Sequence, residues 1–321
     1  MKNKNNKKII ILLVLVLFLT TGCAKNFVNK ETKKSYTANI LCKPETKEIQ
    51  DIYKKYDKEQ KINYDKLPSC EKLKVTTGGY EGLWTNIFVK PLSWLILKLG
   101  LIVKNYGISI MIIGFLMRLL MYPLTKKSTS MNDNMQKIQP EMKALEKKYK
   151  NRDDKESQML KSQEMMQIYK KNNVSPVSGC LFSFLQIPIF FAFYESIQRV
   201  PVFFEETLWK FHLGTTPYEG MFKEGNYWYI IIIVLIIAAT YFSFQNMNTA
   251  AIDDAQAKQM KMMNKFMIIF ISFVSFTLPT ALALYWIVSN LFTVIQNLVI
   301  KKSSNKKPKE KQLKKLKSIK N

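Results

Sequence analysis

The chain has 321 residues, 47% of them hydrophobic, and its 49 basic against 24 acidic side chains give a formal net charge of +25. Its apolar residues are concentrated in blocks, each reaching the roughly 20 residues that a helix needs to cross a bilayer. The blocks are 172–194, 225–252 and 266–300, which contain no charge, and the segment from Lys104 to Lys126, which contains only Arg118. This pattern excludes a soluble globular domain and predicts an all-α polytopic membrane protein.

Residues 1–22 have the pattern of an export signal peptide. Four lysines precede the apolar run 9–19, and small residues follow it up to Cys23, which corresponds to a charged region, a short apolar region and a cleavage site. The site resembles that of bacterial lipoproteins, in which the cysteine is acylated and becomes the new N-terminus. Thr20 stands where that class prefers leucine. An ordinary cleaved signal and an uncleaved anchor therefore stay open as alternatives.

The remaining cysteines and the single histidine indicate no metal site. Cys42 and Cys70 lie in a polar segment expected outside the cytoplasm, where a disulfide can persist, but two cysteines do not establish that they pair. Cys180 lies in an apolar block and is expected to be a small buried side chain. His212 has no neighbouring residue suited to share a metal ion.

Two segments separate the signal from the first long apolar block. Residues 23–81 are rich in lysine and lack clear periodicity, so we predict a loosely ordered extracytoplasmic spacer. Residues 82–105 are apolar but are interrupted by Lys90, Lys98 and Lys104, which favours an amphipathic helix lying in the membrane interface. A buried helix that packs against the spans is the alternative.

The core of the protein is predicted at 106–300, with five transmembrane helices. The last uncharged block is 35 residues long, too long for one span, and Pro279 divides it in two. The spans are expected at 106–125, 176–197, 226–246, 258–278 and 280–300.

Segment 126–175, between the first two spans, predicts a helical hairpin. Lys126 and Lys127 are expected to stop the first span, and Pro140 must lie in the first turn of a helix or kink it. Apolar residues recur every three or four positions on both sides of a polar turn at Asn151–Asp154, as in two amphipathic helices. These residues are Met135, Ile138, Met142, Leu145 and Tyr149, followed by Met159, Met166 and Tyr169.

Basic residues predict the orientation in the membrane. Segments 126–171, 253–265 and 301–321 contain 12, 3 and 10 lysines and arginines, whereas the loop 195–224 contains 3. Because short cytoplasmic loops are enriched in lysine and arginine, the hairpin and the basic tail 301–321 are expected in the cytoplasm. The mature N-terminus would then lie outside, in agreement with an export signal.

Arg118 is the strongest candidate for a functional residue. A guanidinium inside an apolar span costs at least about 2.5–3.5 kcal/mol, so it is expected to face water, a partner or a substrate. The alternative is that it extends to the cytoplasmic surface, yet eight helical residues place it about 12 Å from Lys126. We find no carboxylate within the spans to pair with it.

Neutral polar residues accompany this arginine in the predicted spans. They suggest a wet cavity that opens to one leaflet, although each of them can equally stabilise packing between helices. The residues are Gln186, Tyr194, Tyr241, Gln245, Ser289, Asn290 and Gln296.

Several ordered motifs resemble the YidC-type membrane protein insertases. The resemblance covers about residues 80–300, and Arg118 lies where that family has its groove arginine. The N-terminus resembles the five-span members from Gram-positive bacteria and their wall-less relatives. The motifs are Ile138–Lys143, Lys147–Tyr149, Ser175–Leu181, Gln186–Phe190, Ala192–Tyr194 and the closing run Leu278–Leu291.

This resemblance implies a membrane protein insertase and chaperone in the bacterial cell membrane. Five helices would enclose a hydrophilic groove that opens to the cytoplasm and to lipid, and the protein would act without a cofactor and without enzymatic chemistry. The residues expected in the groove are Arg118, Gln186, Tyr194, Gln245, Trp286 and Asn290.

The resemblance also implies partners. Nascent membrane proteins would be the substrates, alone or together with the Sec translocon, and the hairpin would capture substrate or contact the targeting machinery. The tail Lys301 to Lys320 contains ten lysines and one glutamate. It suits either ribosomal RNA or anionic membrane lipids, and both stay open.

A small polytopic transporter or channel, with Arg118 as an anion site, is the main alternative function. Such proteins are commonly built from repeated halves, and the sequence shows no internal repeat. A membrane enzyme is the second alternative, but the spans contain no paired carboxylates, no nucleophile beside a base and no metal cluster.

Overall fold

A computed structural model describes residues 24–32, 34–152, 154–174, 178–245 and 254–319. Within the helices, the side chains at 127–133, 136, 178–185, 245, 254–261 and 301–319 are not described. The predicted signal peptide 1–22 and the acylated Cys23 lie outside the described residues. Their export and acylation therefore stay predictions.

Helices make up most of the described chain, and two short antiparallel hairpins complete it. In chain order the elements are β1 (Asn26–Val28), β2 (Ser35–Thr37), α1 (Lys47–Gln60), two 3₁₀ turns (Tyr64–Lys66, Cys70–Lys72), a π-helical turn (Thr85–Val89), α2 (Lys90–Val103), α3 (Tyr106–Lys137), α4 (Gln139–Tyr149), α5 (Lys155–Lys171), α6 (Ser178–Gln198), α7 (Val202–Glu205), β3 (Thr207–Leu208), β4 (Phe211–His212), α8 (Pro217–Phe222), α9 (Tyr229–Gln245), α10 (Asp254–Ser275) and α11 (Thr280–Ile319).

Each of the five segments predicted to span the membrane contains a helix. Among the described residues, three helical stretches are long and apolar enough to cross a membrane: Thr85–Val103, Tyr106–Lys126 and Thr280–Ile300. Two shorter apolar stretches are Tyr229–Phe244 and Met262–Ser275. The stretch Thr85–Val103 lies in the segment predicted to be an interfacial helix. That prediction was made because lysines interrupt its apolar residues.

The chain forms two compact units. Among the described residues, the first unit comprises those within 24–114, 185–233 and 276–286, and the second comprises those within 115–184, 234–275 and 287–319.

In the first unit, the prediction of a loosely ordered spacer is wrong. Strand β1 pairs with β2, and α1 covers the hairpin with Tyr53 and Tyr56, which pack against Phe27. Cys42 and Cys70 are joined in a disulfide, the pairing that the sequence left open. The core was missed because its aromatic residues are far apart in the sequence, so no local window shows an apolar periodicity.

Helix α2 is packed on one face, and its predicted position in the membrane interface stays a prediction. Its buried face includes Ser93, Ile96 and Gly100. Ser109 of α3 donates a hydrogen bond to the carbonyl of Ile96 at 2.6 Å, and a Cβ atom on Gly100 would lie 2.1 Å from the ring of Tyr106. The glycine therefore permits close packing of α2 on the start of α3. The opposite face of α2 exposes leucine and isoleucine side chains.

In the second unit, α3 continues past Lys126 to Lys137, but its stretch that is long and apolar enough to cross a membrane ends at Lys126, where the sequence predicted the first span to stop. A pair of lysines limits the part of a helix that can lie in lipid. It does not end the helix, because lysine is a good helix former. Gln296 of α11 donates a 2.6 Å hydrogen bond to the hydroxyl of Thr125, and both side chains are buried. Helix α11 likewise continues past its apolar part.

The predicted helical hairpin is present as α4 and α5. Pro140 lies in the first turn of α4, where its missing N–H leaves no bond unmade. Asp154 caps α5 by accepting a 2.8 Å hydrogen bond from the backbone N–H of Ser157. Tyr169 is buried as expected, but Met159 and Met166 are exposed. The core between the helices consists of Ile138, Met142, Tyr169 and Val174, together with Met135, Met165 and Ile168.

Candidate functional site

Arg118 lies in the second unit, on the apolar part of α3. Its side chain is partly buried and its Nε atom is shielded from solvent, whereas Leu116, Leu119 and Leu120 around it are exposed. Because the helix is continuous from Tyr106 to Lys137, about 12 Å along its axis separates Arg118 from Lys126. The apolar surface of this part of α3 therefore suits lipid, and Arg118 lies within this apolar part rather than at its lysine end.

Gln186 lies in the first unit, where its amide Nε2 donates a 3.0 Å hydrogen bond to the hydroxyl of Tyr285. Tyr285 is buried and stacks on Phe193, with 4.0 Å between ring centroids. A Cβ atom on Gly114 would lie 3.0 Å from the Tyr285 ring, so the glycine makes room for it. Residues of three helices, α3, α6 and α11, thus meet at one tyrosine.

Trp286 and Tyr194 also belong to the first unit. The indole of Trp286 packs edge-on against Phe190, with centroids 5.2 Å apart, and it is partly buried. Tyr194 is partly buried on α6, eight residues beyond Gln186, which corresponds to about 12 Å along the helix.

The six predicted groove residues are therefore divided between the two units. Gln186, Tyr194 and Trp286 are in the first unit, and Arg118 and Asn290 are in the second. Asn290 is partly buried on α11, and the side chain of Gln245 lies outside the described residues. A single groove lined by all six stays a prediction.

Tyr285 was not predicted as a site residue, although it stands beside Trp286 in the closing motif. A buried tyrosine hydroxyl normally has a hydrogen-bond partner. A tyrosine in an apolar span therefore indicates that a polar side chain lies close to it. Gln296 was noted as a polar residue, but its partner Thr125 could not be identified because 171 residues separate the two.

A buried charge cluster in the first unit was also missed, and it corrects the statement that the spans contain no carboxylate. Glu195 lies within α6 and is buried, where its carboxylate accepts a 2.8 Å hydrogen bond from the indole of Trp84 and lies 3.3 Å from Arg199. Arg199 also pairs with Glu81, which in turn lies 2.9 Å from the Nζ atom of Lys90.

This charge cluster joins the N-terminal domain, the described residues within 24–81, to the helices of the first unit. The Nε atom of Arg199 donates a 2.7 Å hydrogen bond to the carbonyl of Asn39. Arg199 and Lys90 are both only 2% exposed. Although burial favours the neutral form of Glu81, these two cations lower its pKa below the ordinary value. Glu81 is therefore ionised and paired with both cations.

Two adjacent glutamates extend this connection by capping helices. Glu205 accepts hydrogen bonds of 2.9 Å from the backbone N–H groups of Glu45 and Thr46, at the start of α1. Glu206 accepts a bond from the backbone N–H of Tyr106, at the start of α3. A carboxylate suits both positions because the first N–H groups of a helix have no partner within it and carry partial positive charge.

Within the described part of the chain, no group of three or more histidine, cysteine or acidic side chains is arranged to hold a metal ion. The described residues contain a folded N-terminal domain that is fixed to apolar helices. They also contain Arg118, which lies within an apolar helix. These features define a polytopic α-helical membrane protein.

Comparison with known proteins identifies the family. The model of a family described as 60Kd inner membrane protein matches residues 98–308. Over 228 residues the chain is 36% identical to the membrane protein insertase YidC of Oceanobacillus iheyensis, which covers 70% of this chain and 86% of the relative. Over 248 residues it is 36% identical to the membrane protein insertase MisCA of Bacillus subtilis, with coverage of 77% and 90%. The chain belongs to the YidC family of membrane protein insertases.

A solved structure supports this assignment. The chain is similar to an active YidC insertase crystal structure with its first transmembrane domain resolved, with a TM-score of 0.50 and 27% identity. The similarity covers 77% of this chain and 52% of that chain, so the present chain spans about half of the solved one. The predictions of an all-α membrane protein and of a membrane protein insertase are confirmed, and the transporter alternative is not favoured.

Proposed function

We propose that the protein inserts nascent membrane proteins by receiving their polar segments near Arg118 while their apolar segments move into lipid. The observation that carries this proposal is the position of Arg118, a partly buried cation on an apolar helix whose leucine neighbours are exposed. Gln186, Tyr194, Gln245, Trp286 and Asn290 complete the groove that the family resemblance implies.

The energetics of this mechanism are those of partitioning. An arriving apolar helix gains free energy as it leaves water, whereas its polar tail loses free energy if it crosses hydrocarbon. A wet groove that carries positive charge shortens the apolar distance that the tail crosses, and it attracts acidic tails most strongly. This mechanism needs no covalent step and no cofactor.

We further propose that the N-terminal domain lies outside the cytoplasm, anchored by an acylated Cys23, and that the C-terminus is cytoplasmic. The excess of basic residues in the hairpin and the tail supports this orientation. The disulfide between Cys42 and Cys70 supports it as well, because disulfides persist in oxidising compartments.

The cytoplasmic hairpin is proposed to contact substrates or targeting partners. It exposes Met159, Leu160 and Met166, and methionine side chains adapt to varied apolar partners. An open groove of about 630 Å³ lies beside them, lined by Glu141, Leu160, Gln163, Glu164, Gln167, Ile168 and Lys171. The ten lysines of the tail would bind ribosomal RNA or anionic lipid, and the Sec translocon is a further proposed partner.

The test uses cells depleted of their own insertase and complemented with the full chain. We expect Arg118→Ala to impair the insertion of substrates with acidic tails, and Arg118→Lys to retain more activity because it keeps the charge. Lys126→Ala, on the same helix, is the matched control and should retain activity. Equal insertion with all three variants would remove Arg118 from the mechanism.

A photo-crosslinking residue at Leu116 or Leu120 gives a second measurement. Stalled nascent chains should crosslink to these positions, which flank Arg118 on α3. Absence of crosslinks, combined with loss of a small-molecule flux in depleted cells, would instead support a transporter.

A further inference from the structure

The turn between β3 and β4 carries an exposed tryptophan in an unusual backbone conformation. Trp209 and Lys210 form the two-residue turn, and Trp209 has a φ of +55° with 63% of its surface exposed. Glycine, asparagine or aspartate is usual at such positions, because a bulky side chain is strained there. Strained residues of this kind concentrate at functional sites. The indole contacts Phe211 of β4, with ring centroids 5.5 Å apart, but most of its surface stays exposed.

The two residues of the turn form a cluster with Trp228. The rings of Trp209 and Trp228 pack edge-to-face, with centroids 5.1 Å apart. The Nζ atom of Lys210 lies 4.1 Å from the centroid of Trp228 and 5.4 Å from that of Trp209. Among the described residues, no carboxylate lies within 4.0 Å of this ammonium group. The cluster therefore presents a cation, supported by two indoles, to an anion from outside the chain.

Hydrogen bonds fix this cluster to the start of α9. Asn226 donates a 2.7 Å bond to the carbonyl of Lys210 and accepts a 3.2 Å bond from the backbone N–H of Trp228. The hydroxyl of Tyr229 accepts a 2.9 Å bond from the backbone N–H of His212. The geometry of the cluster is therefore formed before any ligand binds.

The cluster continues the lipid-facing surface of α9. Ile230 and Ile231, in the first turn of this apolar helix, are exposed, and in a membrane protein such residues face lipid. Trp228 lies two residues before them, so it and its contact Trp209 lie where lipid tails meet headgroups. Tryptophan and tyrosine are enriched at this boundary. Other exposed aromatic residues of the same loop are Tyr218, Phe222 and Tyr227.

We propose that Trp209, Lys210 and Trp228 form a binding site for the phosphate of an anionic phospholipid, with both indoles inserted among the headgroups. The exposed apolar surface of α9 identifies the membrane as the occupant, and the ammonium group of Lys210 selects anionic headgroups within it. The site would hold the β3–β4 hairpin, and with it the start of α9, at a fixed depth in the bilayer.

The depth of Trp209 can be measured by fluorescence quenching of the full chain in liposomes. The difference in emission between the parent and Trp209→Phe isolates the signal of Trp209. Phosphatidylcholine brominated near the headgroup end of its chains should quench this signal more than lipid brominated near the chain end, and aqueous acrylamide should quench it weakly. Strong quenching by acrylamide with none by brominated lipid would show that Trp209 faces water, which overturns the proposal.

Lipid selectivity tests the role of Lys210. Native mass spectrometry of the full chain should show that Lys210→Gln weakens retention of phosphatidylglycerol over phosphatidylcholine about fivefold, the factor that one lysine near an anionic surface contributes. Lys223→Gln is the matched control, since Lys223 is exposed in the same loop but is paired with Glu219 at 3.0 Å. Equal effects of the two substitutions would overturn the site.

Trp209→Gly separates binding from folding. Glycine accepts the positive φ of this turn without strain, which offsets the lost ring contacts with Trp228 and Phe211, so this variant should melt close to the parent while it loses the phosphatidylglycerol preference. A variant that melts at the parental temperature and keeps the preference would show that the indole is not part of a lipid site.

Discussion

The two units hold their arginines in opposite ways. In the first unit, Arg199 is buried between Glu81, Glu195 and the carbonyl of Asn39, so its donors are committed to the fold. In the second unit, Arg118 keeps part of its surface accessible on an apolar helix. An arginine of a membrane protein can therefore serve as a structural connection or as a candidate substrate contact. Burial among carboxylates indicates the structural role.

The largest expected effect comes from breaking the structural arginine. Arg199→Met leaves Glu195 buried without its counter-charge, which should lower stability by about 3–5 kcal/mol. Thermal unfolding of the full chain in detergent measures this. Lys223→Met, which removes an exposed pair with Glu219, should change stability by less than about 1 kcal/mol. Similar shifts for both variants would show that the buried cluster is not structural.

The disulfide should give the next largest effect. Replacing Cys42 and Cys70 by serine opens a connection across 28 residues, and a closed loop of that length stabilises by about 3–4 kcal/mol. The same measurement should show a comparable loss for the parent after chemical reduction. A double variant as stable as the oxidised parent would contradict this expectation.

Acid should weaken the first unit through Glu81. The pKa of Glu81 is lowered by Arg199 and Lys90 in spite of its burial. Its ionised form therefore stabilises the fold fully at pH values above the ordinary pKa of 4.5. This stability is lost as the pH falls through the lowered pKa. Melting temperatures of the parent should therefore fall below pH 4.5 more steeply than those of Glu81→Gln.

The matched control for this acid effect is Glu31→Gln. Glu31 pairs with Lys55, but its side chain is 70% exposed, so its loss should leave the parental pH slope intact. Parallel slopes for the parent and Glu81→Gln would exclude the Glu81 cluster as the acid-sensitive connection.

The smallest expected effect lies in the hairpin of the second unit. The buried hydroxyl of Tyr169 has no hydrogen-bond partner among the described residues, so Tyr169→Phe should raise stability by up to about 1 kcal/mol. Tyr149→Phe should lower it by about 0.5–1.5 kcal/mol, because that hydroxyl bonds Glu164 at 2.9 Å. Hydrogen exchange in α4 and α5 measures both, and equal protection in the two variants would contradict the difference.

Local patterns predicted much of the second unit. The polar turn before α5 and Pro140 at the start of α4 were read correctly because helix ends depend on residues within a few positions. The exposure of Met159 and Met166 was not predicted. Apolar periodicity shows that a helix has an apolar face, but it does not show which apolar residues contact the partner helix.

The first unit was predicted less well because its interactions join distant residues. The aromatic core around Phe27 combines residues from a hairpin and a helix, and it was taken for a spacer. Gln186 was predicted as a groove residue, but its partner Tyr285 is 99 residues away, and no spacing rule connects the two.

The sequence alone determined that the chain is a helical membrane protein with a cation inside an apolar helix, because the length of an apolar run and a charge within it are local properties. Only the tertiary structure decided which charges are satisfied. Arg199 meets Glu81 across 118 residues, and Trp84 meets Glu195 across 111. Such contacts depend on how helices pack, and the identity of a buried polar residue does not specify which distant residue will supply its partner.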